Sequence, residues 1–341
     1  MSAFDDLLNT VPTGIWINGT PRPSSSGTVF DVLNPASGDK LASVADGTTK
    51  DARDAIAASS AVAEEWADTA PRVRSDILRR AYDLVIERRA QFAALITLEM
   101  GKPLSESLGE VAYGAEFLRW FSEEAVRING RATTAPAGNG EIRVTKEPVG
   151  LCLAVTPWNF PLAMGTRKIG PALAAGCTMI LKPSEDTPLT MLLLAATLAE
   201  AGLPPGVLSV LPTTNAVDVV AELMRDPTMR KVSFTGSTQV GQKLIAQSAE
   251  RVLRTSMELG GNAPFLVFDD ADLEAAVAGA VAAKMRNGGQ ACTAANRILV
   301  QNSVREEFPR RLATRIGALQ IGRGWEDGVA VGPVINDGQL S

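Results

Sequence analysis

The 341-residue chain contains no histidine. That absence removes Ser-His-Asp and Cys-His activation of a nucleophile and every histidine-containing metal site, so acid–base work falls to carboxylates, lysines or cysteine. Cysteine is scarce as well. Cys152, Cys177 and Cys292 are odd in number and far apart along the chain, which excludes a disulfide framework and a Cys-x-x-Cys metal site and fits a reducing cytoplasm. No bound metal is expected. Long apolar runs are missing: the longest nearly apolar stretch, Leu189 to Ala199, stops at Glu200, too short to span a bilayer. There is no basic block, because 33 basic and 38 acidic residues are mixed along the chain to a formal charge of −5. That balance speaks against a nucleic-acid surface and leaves a small molecule as the expected ligand. The N-terminus, Met-Ser-Ala-Phe-Asp-Asp, lacks the order of a secretory signal, and its acids argue against a mitochondrial presequence.

What is present is ordinary globular material, 45% hydrophobic and 21% charged, with no internal repeat or low-complexity segment. Residues 11–50 read as short strands and turns, among them Thr13–Asn18 and Val29–Leu33. From Asp51 to about Asn129, three helical stretches are separated at Pro71 and at Gly101-Lys102-Pro103, and their charges read as solvated faces. Glu141-Ile142-Arg143-Val144-Thr145-Lys146 alternates as a half-exposed strand does, so residues 130–146 read as a protruding hairpin that pairs with a partner chain. From Gly150, strands and helices alternate with short connections: strands at Leu151–Thr156, Thr178–Leu181, Val207–Leu211, Lys231–Phe234 and Val252–Met257. Such alternation requires a parallel sheet covered by helices. A second, smaller alternation runs from Pro264–Phe268 to a helix ending near Gly317, and Val331 to Ser341 has no closing element.

A dinucleotide site in such a sheet lies beyond the carboxyl ends of the strands, yet the Gly-x-Gly-x-x-Gly turn is absent. Pro157-Trp158-Asn159-Phe160-Pro161 follows the first strand, as a plain Pro-rich turn or as a place where the Asn159 amide stabilises negative charge. Lys182-Pro183-Ser184-Glu185 follows the second, as a surface charge pair or as a ribose-binding acid. In Phe234-Thr235-Gly236-Ser237, Gly236 can take unusual dihedrals and Ser237 is placed to cap a helix whose free amides hold a phosphate. Glu258-Leu259-Gly260-Gly261 puts a carboxylate at a strand end. Asn287-Gly288-Gly289-Gln290-Ala291-Cys292 displays a lone thiol on a Gly-rich turn, inert or nucleophilic.

Taken in this order, these five motifs resemble the aldehyde dehydrogenase superfamily. The resemblance implies an α/β fold with a Rossmann-type parallel-sheet cofactor domain (1–129 and 147–258), an oligomerisation hairpin (130–146) and the N-terminal part of an incomplete catalytic domain (259–341). The family's remaining segments would lie beyond Ser341. Carried over, Cys292 is the nucleophile, the Asn159 side chain and the Cys292 amide hold the oxyanion, and Glu258 activates the water that hydrolyses a thioester. NAD or NADP would contact Thr156, Pro157, Trp158, Lys182, Ser184, Glu185, Phe234, Gly236, Ser237, Gly241 and Leu259. The Glu185 carboxylate favours NAD by repelling a 2′-phosphate. Met164-Gly165-Thr166-Arg167-Lys168 and Lys284-Met285-Arg286-Asn287 look like the succinate-semialdehyde dehydrogenase branch, in which arginines at Arg167 and Arg286 bind the distal carboxylate of the substrate. The resemblance also implies a homodimer or homotetramer in the full-length form. Two alternatives stand beside it: a catalytically silent fragment that retains nucleotide binding, and a cofactor-independent thiol hydrolase using Cys292 and Glu258.

Overall fold

A computed structural model describes residues 2–340. In chain order, α1 (Ser2–Thr10) precedes β1 (Ile15–Ile17), β2 (Thr20–Arg22), β3 (Val29–Leu33) and β4 (Lys40–Ala45). A helical layer follows: α2 (Thr49–Ala61), α3 (Ala63–Asp68), α4 (Pro71–Glu87), α5 (Arg89–Met100) and α6 (Leu104–Glu124). Pro71 stands at the first position of α4, and Gly101 ends α5 in the left-handed region at φ 90°. The layer has two breaks more than the expected three stretches, at Val62 and Arg88. Neither carries Gly or Pro; both leave helical geometry through backbone angles near ψ 0° and 19°, which no sequence signal marks.

β5 (Arg131–Thr134) and β6 (Glu141–Val144) pair antiparallel as a hairpin whose strand residues are all exposed. The alternating half then runs β7 (Leu151–Val155), α7 (Pro161–Ala174), β8 (Met179–Lys182), α8 (Leu189–Glu200), β9 (Leu208–Val210), α9 (Ala216–Arg225), β10 (Met229–Gly236), α10 (Thr238–Ser248) and β11 (Arg254–Leu259). These five strands join β1 and β2 in a seven-stranded sheet in the order β11-β10-β7-β8-β9-β1-β2, parallel from β11 to β9. The chain moves outward from β7 to β9 and returns beside β7 as β10, so the strand order reverses between β7 and β10. That reversal opens a crevice at the carboxyl edge of the sheet.

Alternation along β7 separates the two faces. Leu151 and Leu153 join Ile180, Val232 and Phe234 under α2, α9 and α10, whereas Cys152 and Ala154 join Met179 and Leu181 under α4 to α8. After β11 the chain enters a separate two-stranded parallel sheet, β12 (Ala263–Val267) and β13 (Ala295–Val300), with α11 (Leu273–Met285) and α12 (Glu307–Gly317) over a small core around Val267, Val277, Phe308 and Leu312. Its outer face leaves Leu266, Phe268 and Leu299 more than half exposed. The expected unclosed tail is instead tied down. Val331 bridges to Ile321, the Leu104 amide donates to the Gly324 carbonyl at 2.8 Å, and α13 (Asp337–Leu340) ends the described chain.

The charges of the helical layer are not all solvated. Glu99 and Glu110 are buried, and each caps a helix of the sheet from far away in sequence. Glu99 accepts the Leu189 and Thr190 amides at 2.8 and 3.0 Å, at the start of α8. Glu110 accepts the Leu162 and Ala163 amides at 2.9 and 3.3 Å, at the start of α7, whose first residue, Pro161, has no N–H to offer. The other Glu110 oxygen pairs with Lys102 at 2.6 Å, and neither side chain is exposed. Periodicity could not reveal this, because the residues that desolvate these charges come from α7 and α8.

Lys102→Met strands the Glu110 carboxylate without its cation. The expected loss is about 3–5 kcal/mol, read as a lower urea midpoint, with part of it recovered in the Lys102→Met, Glu110→Leu double variant. A single variant as stable as the parent would exclude the pair as a structural determinant.

Candidate active site

Four strand ends supply the crevice. β7 runs into Thr156, Pro157, Trp158 and Asn159, and the Thr156 amide is held by the Lys182 carbonyl at 3.1 Å. At the end of β8, Lys182 and Glu185 pair at 2.8 Å, the lysine buried and the acid half-exposed, while Ser184 accepts the Asp186 amide. The two readings of this segment therefore coincide in place: the charge pair exists, and it stands at the carboxyl edge. β10 ends at Gly236, and Ser237 caps α10 by accepting the Val240 amide at 3.4 Å. Ser237 and the first turn of α10 are exposed, which leaves amides open to an anion.

Gly236 does not use the unusual dihedrals expected of it. Among the described residues it is absent from the positive-φ set, and a Cβ there would lie 2.5 Å from the Phe234 ring. Close approach, not backbone angle, requires the glycine. Likewise a Cβ on Gly241 would lie 2.6 Å from Leu259, which sits opposite Gly236 in the ladder. Phe234, Gly236, Gly241 and Leu259 thus form one packed cluster, in which the Phe234 and Leu259 side chains fill the space beside the two glycines.

The turn before Cys292 is built by three consecutive left-handed residues, Asn287, Gly288 and Gly289, at φ 55°, 61° and 81°. Asn287 is the costly one, and its polar groups repay the strain. Its amide donates to both Glu106 oxygens at 3.1 and 2.9 Å, and its side chain donates to the Asn159 and Gln290 carbonyls at 2.9 and 3.2 Å. Burial holds the Glu106 carboxyl above the ordinary carboxylate range, against the pull of that amide. Asn159 answers by donating Nδ2 to the Gln290 carbonyl at 3.0 Å, which engages one of its two amide hydrogens. Lys102 grips the Asn159 carbonyl at 2.7 Å and lies 3.8 Å from the Phe160 ring centroid. The Gln290 side chain also accepts the Ile335 amide at 3.1 Å.

Cys292, two residues on, is exposed and free. Its backbone amide meets no hydrogen-bond acceptor among the described residues. The structure therefore joins Asn159 and the Cys292 turn into one hydrogen-bonded unit. Glu258 lies apart from that unit. It is exposed and lines a cleft of about 600 Å³ together with Arg167, Lys168, Lys231 and Ser233, on the α7 side of the sheet. Arg286 is exposed over the Phe160 ring at 4.8 Å, next to the turn before Cys292, whereas Arg167 lies 5.0 Å from the Phe117 ring and donates to the Tyr113 hydroxyl. Among the described residues neither arginine has a carboxylate partner.

The family model for the aldehyde dehydrogenase family matches residues 22–341. The chain belongs to the aldehyde dehydrogenase family. It is 61% identical over 298 residues to a succinate-semialdehyde dehydrogenase of Paenarthrobacter nicotinovorans, covering 87% of this chain and 66% of the relative. It is 47% identical to the NADP(+) succinate-semialdehyde dehydrogenase of Escherichia coli, covering 94% of this chain and 66% of that one. The structure superposes on betaine aldehyde dehydrogenase of Staphylococcus aureus in complex with NAD+ with a TM-score of 0.96 at 33% identity, over 99% of this chain and 67% of that one. The chain spans about two thirds of the length of these curated relatives. Its fold is the two-domain α/β architecture of aldehyde dehydrogenases with a Rossmann-like sheet. No helix among the described residues is long and apolar enough to cross a membrane.

Lys168, Glu106 and Lys102 are site residues that the sequence reading passed over. Lys168 lies next to Arg167 in the motif but reaches the other way: it is buried, donates to Ser233 at 3.0 Å and is attracted by Glu258. Burial outweighs that attraction and lowers its pKa to about 8. The unfolded chain keeps this proton to about pH 10.4, so between these values it binds more protons than the native state and stability rises with pH. Denaturant unfolding from pH 7 to 10.5 is expected to register that rise in the parent relative to Lys168→Met. A difference independent of pH would refute the lowered lysine.

Proposed function

We propose that this chain carries the active site of an NAD(P)-dependent dehydrogenase that oxidises a carboxylate-bearing semialdehyde, succinate semialdehyde first among them, to the diacid. The observation that carries the reading is the unit formed by Asn159, Gln290 and Asn287, which fixes an oxyanion donor beside an exposed cysteine. Cys292 as thiolate attacks the aldehyde carbon to give a thiohemiacetal. The second Asn159 amide hydrogen and the open Cys292 amide are the donors available to its oxyanion. When bound, the nicotinamide supplies an acceptor for the hydride that this carbon gives up, leaving a thioester on Cys292. Glu258 then takes a proton from the water that attacks the thioester, and the acid leaves. From the neighbouring cleft it would have to swing toward Cys292, and its exposed position beside Gly260 and Gly261 supports such movement.

The cofactor fits the residues present. The open start of α10 after Gly236 and Ser237 suits its pyrophosphate, over the packed cluster of Phe234, Gly241 and Leu259, with Thr156, Pro157 and Trp158 after β7 and Lys182, Ser184 and Glu185 for the adenosine ribose. Glu185 favours NAD over NADP, although Lys182 offsets part of its charge. Arg286 and Arg167, cations held on aromatic rings without a protein acid, suit the distal carboxylate. We further read residues 1–129 and 147–258 as the cofactor domain, 259–341 as catalytic, and the exposed 130–146 hairpin as the element that assembles a homodimer or homotetramer. Three free thiols accord with a reducing cytoplasm.

Reduced-nicotinamide absorbance tests the reading. Aldehyde-dependent turnover is expected to vanish in Cys292→Ala, whereas Glu258→Gln should give a first burst and then stall at the thioester. Nucleotide binding without turnover in the parent would favour the silent fragment instead, and ester cleavage without cofactor the thiol hydrolase. Arg286→Ala should lower kcat/KM for succinate semialdehyde by roughly 10- to 100-fold, the loss of one charge-assisted contact, and spare an uncharged aldehyde of the same length. Equal losses on both aldehydes would remove Arg286 from carboxylate recognition.

A further inference from the structure

α6 opens with Pro103 in the cap position and without a side-chain cap. Glu106 stands in its first turn, where a glutamate ordinarily reaches back to the N–H of the capping residue, but Pro103 has none to offer. The carboxylate is spent elsewhere. Both of its oxygens accept the Asn287 amide, 181 residues away, at 3.1 and 2.9 Å, and among the described residues they make no other hydrogen bond and no ion pair. Asn287 is 1% exposed and holds φ 55° and ψ 37° without the freedom of a glycine. That conformation aims its N–H at α6 and its side chain at the Asn159 and Gln290 carbonyls. The orientation of the Asn159 side chain depends on the same turn: its Nδ2 donates to the Gln290 carbonyl, whereas its Oδ1 is buried with no donor among the described residues. One acceptor, carried by the turn that Glu106 holds, therefore sets which way the Asn159 amide points.

We propose that Glu106 is a positioning residue for the oxyanion site: by pinning Asn287 in the left-handed region it fixes the Gln290 carbonyl and, through it, the side-chain amide of Asn159, while leaving the reactivity of the Cys292 sulfur as it is. This rests on the roles proposed above for Asn159 and Cys292. Without the carboxylate, Asn287 relaxes toward ordinary backbone angles, the Gln290 carbonyl moves, and the Asn159 amide loses the contact that orients it. An oxyanion exists only once the thiolate has added to a carbonyl carbon, so a misdirected Asn159 raises the barrier to addition without weakening the encounter with the carbonyl compound. A reaction at the same sulfur that forms no oxyanion is indifferent to Glu106.

Two reagents that need no nicotinamide separate these cases. p-Nitrophenyl acetate acylates the Cys292 thiolate through a tetrahedral oxyanion, which collapses to the thioester as the C–O bond breaks and p-nitrophenolate leaves; iodoacetamide alkylates the same sulfur by direct displacement of iodide. In Glu106→Leu the p-nitrophenolate burst is expected to slow roughly 10- to 100-fold, as for a misplaced oxyanion donor, with the ester concentration at half-maximal rate unchanged. Alkylation of Cys292, followed by mass spectrometry of its peptide, should keep the parent rate. Glu106→Gln retains an accepting oxygen and should restore most of the burst; Glu106→Asp, whose oxygens fall short by a methylene, should not, and it decides the matter if Glu106→Leu does not fold. An unchanged burst in Glu106→Asp, or equal losses of acylation and alkylation, overturns the proposal. A parent that is alkylated at Cys292 but gives no burst overturns the oxyanion site itself, and the proposal with it.

Discussion

The ion pair between Lys102 and Glu110 is the joint on which the site turns. Both side chains are out of water, so each charge is tolerated only because the other neutralises it and further polar contacts complete the shell. Glu110 uses its second oxygen to start α7, and Lys102 uses its remaining donors on the Asn159 carbonyl. Together they fix where β7 gives way to α7. The position of Asn159 is therefore set by an electrostatic pair two elements away, and not by the Pro-rich turn alone.

From that fixed turn the rest of the constellation follows in layers. Asn159 and Asn287 both donate their side-chain amides to the Gln290 carbonyl, and Glu106, one turn before Glu110 on α6, holds the Asn287 amide. One face of α6 thus anchors both Asn159 and the turn bearing Cys292. The sheet contributes separately, by ending β7, β8, β10 and β11 along one edge, at the reversal of strand order.

The sequence made much of this legible, and for identifiable reasons. Strand ends and turns carry strong local chemistry, such as Pro157 and Pro161 around Asn159 or the glycines before Cys292, so the motif residues could be placed on the carboxyl edge without coordinates. The helical block was harder. Val62 and Arg88 break it with no Gly or Pro to announce them, and Arg74, Glu99, Lys102 and Glu110 have the spacing of a wet surface although the neighbouring elements bury them. The freedom that Gly236 offers the backbone goes unused, and the Phe234 ring is what crowds out a side chain there.

The remote caps on α7 and α8 also constrain the order of events in folding. Glu99 and the Leu189 amide are 90 residues apart, and Glu110 and the Leu162 amide 52. Neither helix can complete its first turn until α5 and α6 have docked, so local helix formation is coupled to closure of long loops. A stretch beginning at β7 would present two helix starts with unmet amides, together with the bare faces of α7 and α8 that α5 and α6 cover. The Rossmann-like half is for this reason not an autonomous folding unit: its independence as a module, suggested by the alternation of strands and helices, ends at the carboxylates it borrows from the helical layer before it.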